Sequence, residues 1–171
     1  MENKKTKNGI YPDHFYPYIH LVENEDLNTI LKVQLTESQS FFNSVPKEKY
    51  DYKYAQGKWS IKEALQHIID TERVFSYRAL AFSRKDINVL PSFDDKSYAS
   101  NANGALREWK DLVEEFIAVR KSTQLLYNSF SSDQLDSPGK ASDYQMNARA
   151  MGYTIAGHLA HHINIIKERY L

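Results

Sequence analysis

The hydrophobic positions of this chain recur at helical spacing in four separate segments. Leucine, isoleucine and phenylalanine return every three or four residues, which places them in one stripe on the side of a helix. The four segments cover about residues 25–44, 61–84, 105–130 and 148–170. No segment has the strict apolar and polar alternation of a half-buried strand. The pattern therefore predicts an all-α fold, a four-helix bundle with long connections.

Local signals mark where these segments begin and end. Pro46 follows the first segment and ends its helix. The run Ser60-Ile61-Lys62-Glu63 is a capping box that begins the second helix, which ends near residues 83–85. Residues 86–102 and 131–147 are polar and are predicted to be connections without helix. Since loops in simple up-and-down bundles have about two to eight residues, we expect at least one crossover, and such long connections can cover one end of the bundle.

The residues before the first helical segment are rich in tyrosine and contain two prolines. Pro12 and Pro17 argue against a long helix in this region. Its aromatic side chains give it material to pack on the rest of the molecule. The sequence therefore predicts an extended N-terminal arm, residues 1–23, followed by one helical domain, residues 24–171.

Composition narrows the classes of function. Lys plus Arg and Asp plus Glu both number 22 among the 171 residues, so the net charge is zero and nucleic-acid binding is not expected. There is no cysteine, which excludes disulfides, zinc thiolates and a cysteine nucleophile. No membrane-length apolar run and no signal-peptide pattern is present, so a cytoplasmic location without membrane contact is expected.

Histidines provide the strongest indication of chemistry. His158 and His162 are spaced i,i+4, so both imidazoles project from one side of the last helix, on or beside its apolar stripe. His161 falls at the border of that stripe, so we expect it outside the ligand set, either away from the site or behind the ligands. His67 lies at the flank of the stripe on the second helix, where it can supply a third ligand to a transition metal. The alternative is that all three are hydrogen-bonded core histidines.

Two carboxylates also occupy positions near the predicted core. Glu72 falls close to the centre of the apolar stripe of the second helix, and Asp70 follows His67 by three residues. Either can orient a ligand imidazole or handle a proton, whereas Glu72 can equally form an ion pair and Asp70 can equally be a solvated charge. Trp59 is expected to pack over the helix start. Asp94 and Asp95 are expected in a surface turn, and the alternative is that the stretch from Phe93 to Asp95 lies over the site.

Six short elements follow one another along the chain: KWSIKE (58–63), HIIDTER (67–73), YRAL (77–80), LPSFD (90–94), IAGHLAHH (155–162) and ERY (168–170). Taken in order, they resemble the DinB/YfiT-like superfamily. The resemblance spans roughly residues 25–171 and implies a four-helix bundle that holds one divalent metal ion through three histidines, here His67, His158 and His162. It does not account for residues 1–23.

The resemblance implies a metal-dependent enzyme. Zinc or nickel suits three imidazoles, which leave an open coordination position. Some members of the superfamily resemble thiol S-transferases, so we expect transfer of a low-molecular-weight thiol to a small-molecule electrophile. The alternatives are a hydrolase that uses metal-activated water, or a non-enzymatic metal-binding or interaction module. A homodimer is expected because helical bundles often bury a spare apolar face.

Overall fold

The fold, obtained as a computed structural model, is described for residues 3–171, with side chains from Thr6 onward. It is an all-α bundle of four long helices, as the hydrophobic pattern predicts. No helix in the described residues has the length and hydropathy needed to cross a membrane. The helices are α1 (Tyr16–Ile19), α2 (Leu27–Ser44), α3 (Ile61–Ser83), α4 (Asp95–Asn101), α5 (Trp109–Asn128), α6 (Ser132–Asp136) and α7 (Ala148–Arg169).

The order of the long helices around the bundle differs from their order along the chain. Helix α3 packs against α5 and α7, and α2 packs against the same two helices. Consecutive helices α2 and α3 therefore lie diagonally opposite, as do α5 and α7. This arrangement requires crossing connections, and it places α3 directly beside α7.

Two small sheets accompany the helices, and the hydrophobic pattern did not predict them. An antiparallel hairpin pairs β1 (Asn3–Thr6) with β2 (Gly9–Pro12). In the second sheet, β3 (Val89–Leu90) pairs in parallel with β4 (Pro138–Ala141), which pairs antiparallel with β5 (Tyr144–Asn147). These strands have two to four residues each, too few for a period-two pattern to stand out.

The prediction that both long connections lack helix was wrong for α4 and α6. Asp94 caps α4 by accepting a hydrogen bond from the Ser97 amide at 3.0 Å. A capping box formed by Ser131 and Gln134 begins α6. Both helices are short and have no fully buried side chain, so they lack the apolar stripe on which the prediction relied. Local capping determines them instead.

The capping box predicted at the start of α3 is confirmed. The Glu63 amide donates to Ser60 Oγ at 3.2 Å, and the Ser60 amide donates to Glu63 Oε2 at 2.6 Å. This double contact sets the first turn of α3 and therefore the rotation at which His67 is presented.

The apolar core is divided into two clusters by a layer of buried polar residues. In α3 the cluster changes between Ile69 and Phe75, and in α7 it changes between Ala156 and Leu159. Buried polar side chains lie at these boundaries and contact other polar side chains there, as Glu72 does with Arg120 and His158 with His67. The buried polar residues at the boundary are Thr71, Glu72 and His158.

The N-terminal arm is folded, so the prediction of an extended arm was wrong for the residues after its hairpin. After the hairpin, residues Asp13–Phe15 form a 3-10 turn and α1 packs along α7. Gly157 permits this contact, because a Cβ there would lie 2.0 Å from the carbonyl oxygen of Tyr18. The close approach brings the arm beside His158.

Replacing Gly157 with alanine should therefore displace the arm and destabilise the protein. The new methyl meets backbone atoms that cannot rotate away, so we expect Gly157→Ala to lose about 1–3 kcal/mol in the free energy of unfolding despite its better helix propensity. Urea denaturation measures this loss. Asn164→Ala, an exposed change in the same helix, is the control and should be neutral or slightly stabilising. Equal stabilisation of both variants would contradict the close packing.

Candidate metal centre

Three histidine side chains meet between α3 and α7. His67 comes from α3, and His158 and His162 come from successive turns of α7. The Nε2 atoms of His67 and His162 each lie 3.1 Å from Nε2 of His158. Among the described residues these three form the group whose ligand atoms all lie within 4.8 Å of one another. The pairing predicted from helical spacing is therefore present in the fold.

Burial keeps all three imidazoles neutral at physiological pH. It lowers the pKa of His67 to about 4, and Asp95 opposes part of that change. Burial, helped by His67 and His161, lowers the pKa of His162 to about 3. Burial, helped by the neighbouring His162 and His67, lowers the pKa of His158 well below its ordinary value. Neutral imidazoles have free lone pairs, the state in which histidine binds metals.

The distances between the three nitrogens fit coordination of a shared metal ion better than they fit hydrogen bonds between the imidazoles. Nε2 of His158 faces two other Nε2 atoms, yet a neutral imidazole has one proton and can donate to only one of them. A tetrahedral zinc ion with Zn–N bonds of about 2.0–2.1 Å separates two ligand nitrogens by about 3.3 Å, close to the observed contacts. The residues present could therefore hold one divalent ion.

Neighbouring side chains hold the imidazoles in place. With Nε2 of His67 free as a ligand, its Nδ1–H faces Thr71 Oγ1 at 3.5 Å, a long contact. The Trp59 indole lies against the His67 ring with centroids 4.6 Å apart, so Trp59 packs on the site and not only over the helix start as predicted. Tyr18 of α1 places its ring edge-on to His158 and to His161. His161 stays outside the three-nitrogen group, as expected.

A cavity of about 490 Å³ opens beside the three histidines. Aromatic side chains make up much of its wall, and a few polar groups interrupt them. The arm, α3, α7, the start of α4 and the β4–β5 turn all contribute to it. Its lining includes His14, Phe15, Tyr18, Trp59, Thr71, Phe75, Arg78, Ser92, Phe93, Asp95, Ser142, Tyr144 and His161 in addition to the three histidines.

Comparison with known proteins identifies the family. The model of the DinB superfamily matches residues 30–166, most of the chain. The chain belongs to the DinB superfamily. No curated protein matches it. A solved structure, YfiT from Bacillus subtilis, superposes with a TM-score of 0.65 at 16% identity and covers 98% of this chain and 92% of its own. That protein is described as a probable metal-dependent hydrolase with an unusual four-helix bundle topology, and the likeness shows that the fold is shared.

Glu72 forms a buried ion pair in this DinB-superfamily protein and does not orient an imidazole. Arg120 Nε donates to Glu72 Oε2 at 3.1 Å, and Nη2 of the same arginine lies 2.8 Å from that oxygen. Arg120 Nη1 also donates to Gln34 Oε1 at 2.9 Å. The ion-pair interpretation of Glu72 is the one the structure supports. The sequence contained a signal for the partner of Glu72, because Arg120 is a charged residue at a position on the apolar face of α5.

Asp70 lies away from the histidines. Its Oδ1 accepts a hydrogen bond from Gln66 Nε2 at 3.0 Å and lies 3.9 Å from Nη1 of Arg73. Burial raises the pKa of Asp70. Since Nδ1 of His67 faces Thr71, the predicted contact between Asp70 and His67 is not formed. The predicted proton-handling roles of Asp70 and Glu72 gain no support from these contacts.

The cavity contains functional groups to which no role was assigned from the sequence, although the stretch from Phe93 to Asp95 was considered as a cover of the site. Asp95, expected in a surface turn, is the first residue of α4 and lines the cavity. Arg78 and Tyr144 lie in the wall of the same cavity. The family pattern around 77–80 included Arg78 without a role, and Tyr144 lies in a strand that was not predicted. Arg78 lies on the same face of α3 as His67, whereas only the tertiary fold brings Asp95 and Tyr144 to the histidines.

The Glu72–Arg120 pair predicts a large loss of stability when one partner is removed. Glu72→Gln leaves the Arg120 charge buried without a carboxylate, and we expect the free energy of unfolding to fall by about 3–5 kcal/mol. Glu115→Gln, which breaks partly exposed pairs with Arg73 and Arg107, is the control and should cost at most about 1 kcal/mol. Urea denaturation compares the two. A Glu72→Gln variant of normal stability would contradict the structural role.

Proposed function

We propose that this protein binds one divalent metal ion, zinc or nickel, through Nε2 of His67, His158 and His162, and is an enzyme that transfers a low-molecular-weight thiol to a small electrophile. The observation that carries the proposal is the convergence of three neutral imidazoles on the wall of a cavity of about 490 Å³. A histidine cluster closed off by side chains would suit a purely structural ion. An open cavity beside the ligands suits catalysis and argues against the non-enzymatic alternative.

When bound to three neutral imidazoles, a divalent ion retains its charge and an open position, and it acidifies a water or thiol placed there. Because the chain has no cysteine, the sulfur must come from a cosubstrate. The reaction forms a sulfur–carbon bond, breaks the bond between that carbon and its leaving group, and releases the thiol proton. The aromatic side chains of the cavity exclude water from the organic parts of both reactants.

Asp95 is the candidate acceptor for the thiol proton. It lines the cavity, and its charge acts on two side chains of the same wall. Burial raises the pKa of Tyr18 and Asp95 raises it further, whereas burial lowers the pKa of His67 and Asp95 opposes part of that change. A half-buried carboxylate at this position can take a proton and pass it to solvent at the mouth of the cavity. Asp95 replaces Glu72 and Asp70 in the role that the sequence suggested for them.

Hydrolysis is the second candidate. The observation in its favour is the shared fold with YfiT, described as a probable metal-dependent hydrolase. The same histidines and the same carboxylate would serve, with water in place of the thiol. The two reactions differ in one testable respect, since only the first consumes a thiol.

Metal content tests the ligand set directly. Protein purified without a polyhistidine tag should contain about one zinc or nickel ion per chain, and His158→Ala should lose it because two imidazoles bind far more weakly than three. His161→Ala is the matched control, an adjacent histidine outside the ligand group, and should keep the metal. Elemental analysis after incubation with zinc provides the measurement. Wild-type protein that stays free of metal would overturn the proposal.

Activity assays then separate the two reactions. Zinc-loaded protein is incubated with a panel of electrophiles and low-molecular-weight thiols, and in parallel with esters and amides without thiol. We expect thiol consumption, reduced about a hundredfold in kcat by Asp95→Asn at unchanged metal content. Asp94→Asn, which keeps the helix cap outside the cavity, should leave the rate unchanged. Ester or amide hydrolysis without any thiol consumption would establish the hydrolase instead.

A further inference from the structure

Arg78 is a buried cation in the wall of the cavity. Its side chain lies on α3, and the residue is 4% exposed. The guanidinium lies 5.8 Å from the centre of the Phe75 ring, which also lines the cavity. A permanent positive charge in such a place is costly unless something compensates it.

No described carboxylate forms an ion pair with Arg78. Nη1 donates to the Tyr144 hydroxyl and Nη2 to the carbonyl oxygen of Pro91, both at 2.8 Å, and both acceptors are neutral. Asp95, the carboxylate of the cavity, lies toward His67 and Tyr18. By contrast, four other arginines pair with carboxylates: Arg120 with Glu72, Arg73 and Arg107 with Glu115, and Arg149 with Asp136.

The remaining donors of Arg78 and Tyr144 suit an anion. A guanidinium has five N–H groups, and the two bonds described above use two of them. Because the Tyr144 oxygen accepts from Arg78, its own O–H is free to donate. Tyr144 is held in place by edge contacts with the rings of His14 and Phe15. One cation beside one hydroxyl matches the charge and the two oxygens of a carboxylate.

The position of Arg78 relative to the histidines sets the shape of the ligand. Arg78 follows His67 by eleven residues, which is three helical turns, so both lie on the same face of α3 about 16 Å apart along its axis. Both side chains lean toward the N-terminus of α3, and the longer arginine side chain extends further in that direction, toward the histidines. A ligand that reaches both must extend along the cavity, with its reacting group at one end and its anionic group at the other.

We propose that Arg78, assisted by Tyr144, binds a carboxylate of the substrate, so that the molecules processed at this site are elongated organic acids. The location of the reacting group rests on the proposed function. The requirement for an acidic substrate rests on Arg78, a buried cation without an ion pair to a described carboxylate. Arg78 in this role binds and orients the substrate, and the carboxylate supplies the charge compensation that the fold itself omits.

Calorimetry with paired probes tests this assignment. The probes are alkyl hydroxamates of graded length that end either in a carboxylate or in the neutral carboxamide of the same shape. The hydroxamate group binds zinc, and the other end reaches along the cavity. At the best length the carboxylate should bind about ten- to a hundredfold more tightly than the carboxamide, the range expected for charge-assisted hydrogen bonds. Arg78→Gln should remove this preference, and Tyr144→Phe should reduce it.

Two controls separate Arg78 from the metal site and from general damage. Arg73→Gln, a change on the same helix outside the cavity, should keep the full preference. Each titration is run on zinc-loaded and on zinc-free protein. A carboxylate preference without any effect of zinc would uphold Arg78 and reject the metal site. Tighter binding with zinc but equal affinity for the two probes at every length, or no binding of either probe, would overturn the role of Arg78.

Discussion

A buried charge pair in the middle of the bundle ties its four long helices together. Glu72 of α3 pairs with Arg120 of α5, Arg120 donates to Gln34 of α2, and Gln34 donates to the carbonyl of Ala156 in α7 at 2.9 Å. Each group is buried, so each would lose stability if its partner moved. The network therefore fixes the positions of the helices along the bundle axis and their rotation, at a level two residues before His158 in α7.

The candidate metal centre depends on that alignment. The i,i+4 spacing keeps His158 and His162 together on any straight helix, but His67 reaches them only when α3 and α7 are in one register. The capping box at Ser60 fixes the start of α3, and the close approach of Gly157 to the N-terminal arm fixes the position of α7. Three neutral imidazoles at metal-binding distance are thus a product of helix packing and not of local sequence alone.

Loops and the N-terminal arm complete the cavity around this centre. The arm contributes Tyr18, the first turn of α4 contributes Asp95, and the β4–β5 hairpin contributes Tyr144. These segments are also anchored in the core, since Phe15 of the arm and Met146 of β5 are buried in one of the two apolar clusters. The three candidate ligands thus lie on the long helices, whereas much of the cavity wall comes from the arm and the connections, which can differ while the bundle is kept.

The sequence by itself determined the four long helices, the cap at Ser60 and the grouping of His158 with His162, because these follow from periodicities within single segments. His67 could be proposed as the third histidine from its helical face and from family resemblance. The tertiary structure alone decided that Glu72 pairs with Arg120 and that Asp70 accepts a hydrogen bond from Gln66. Helical periodicity gives the direction in which a side chain points but does not give its partner. It also decided the cavity, whose walls come from residues far apart in the chain and from strands too short to leave a pattern.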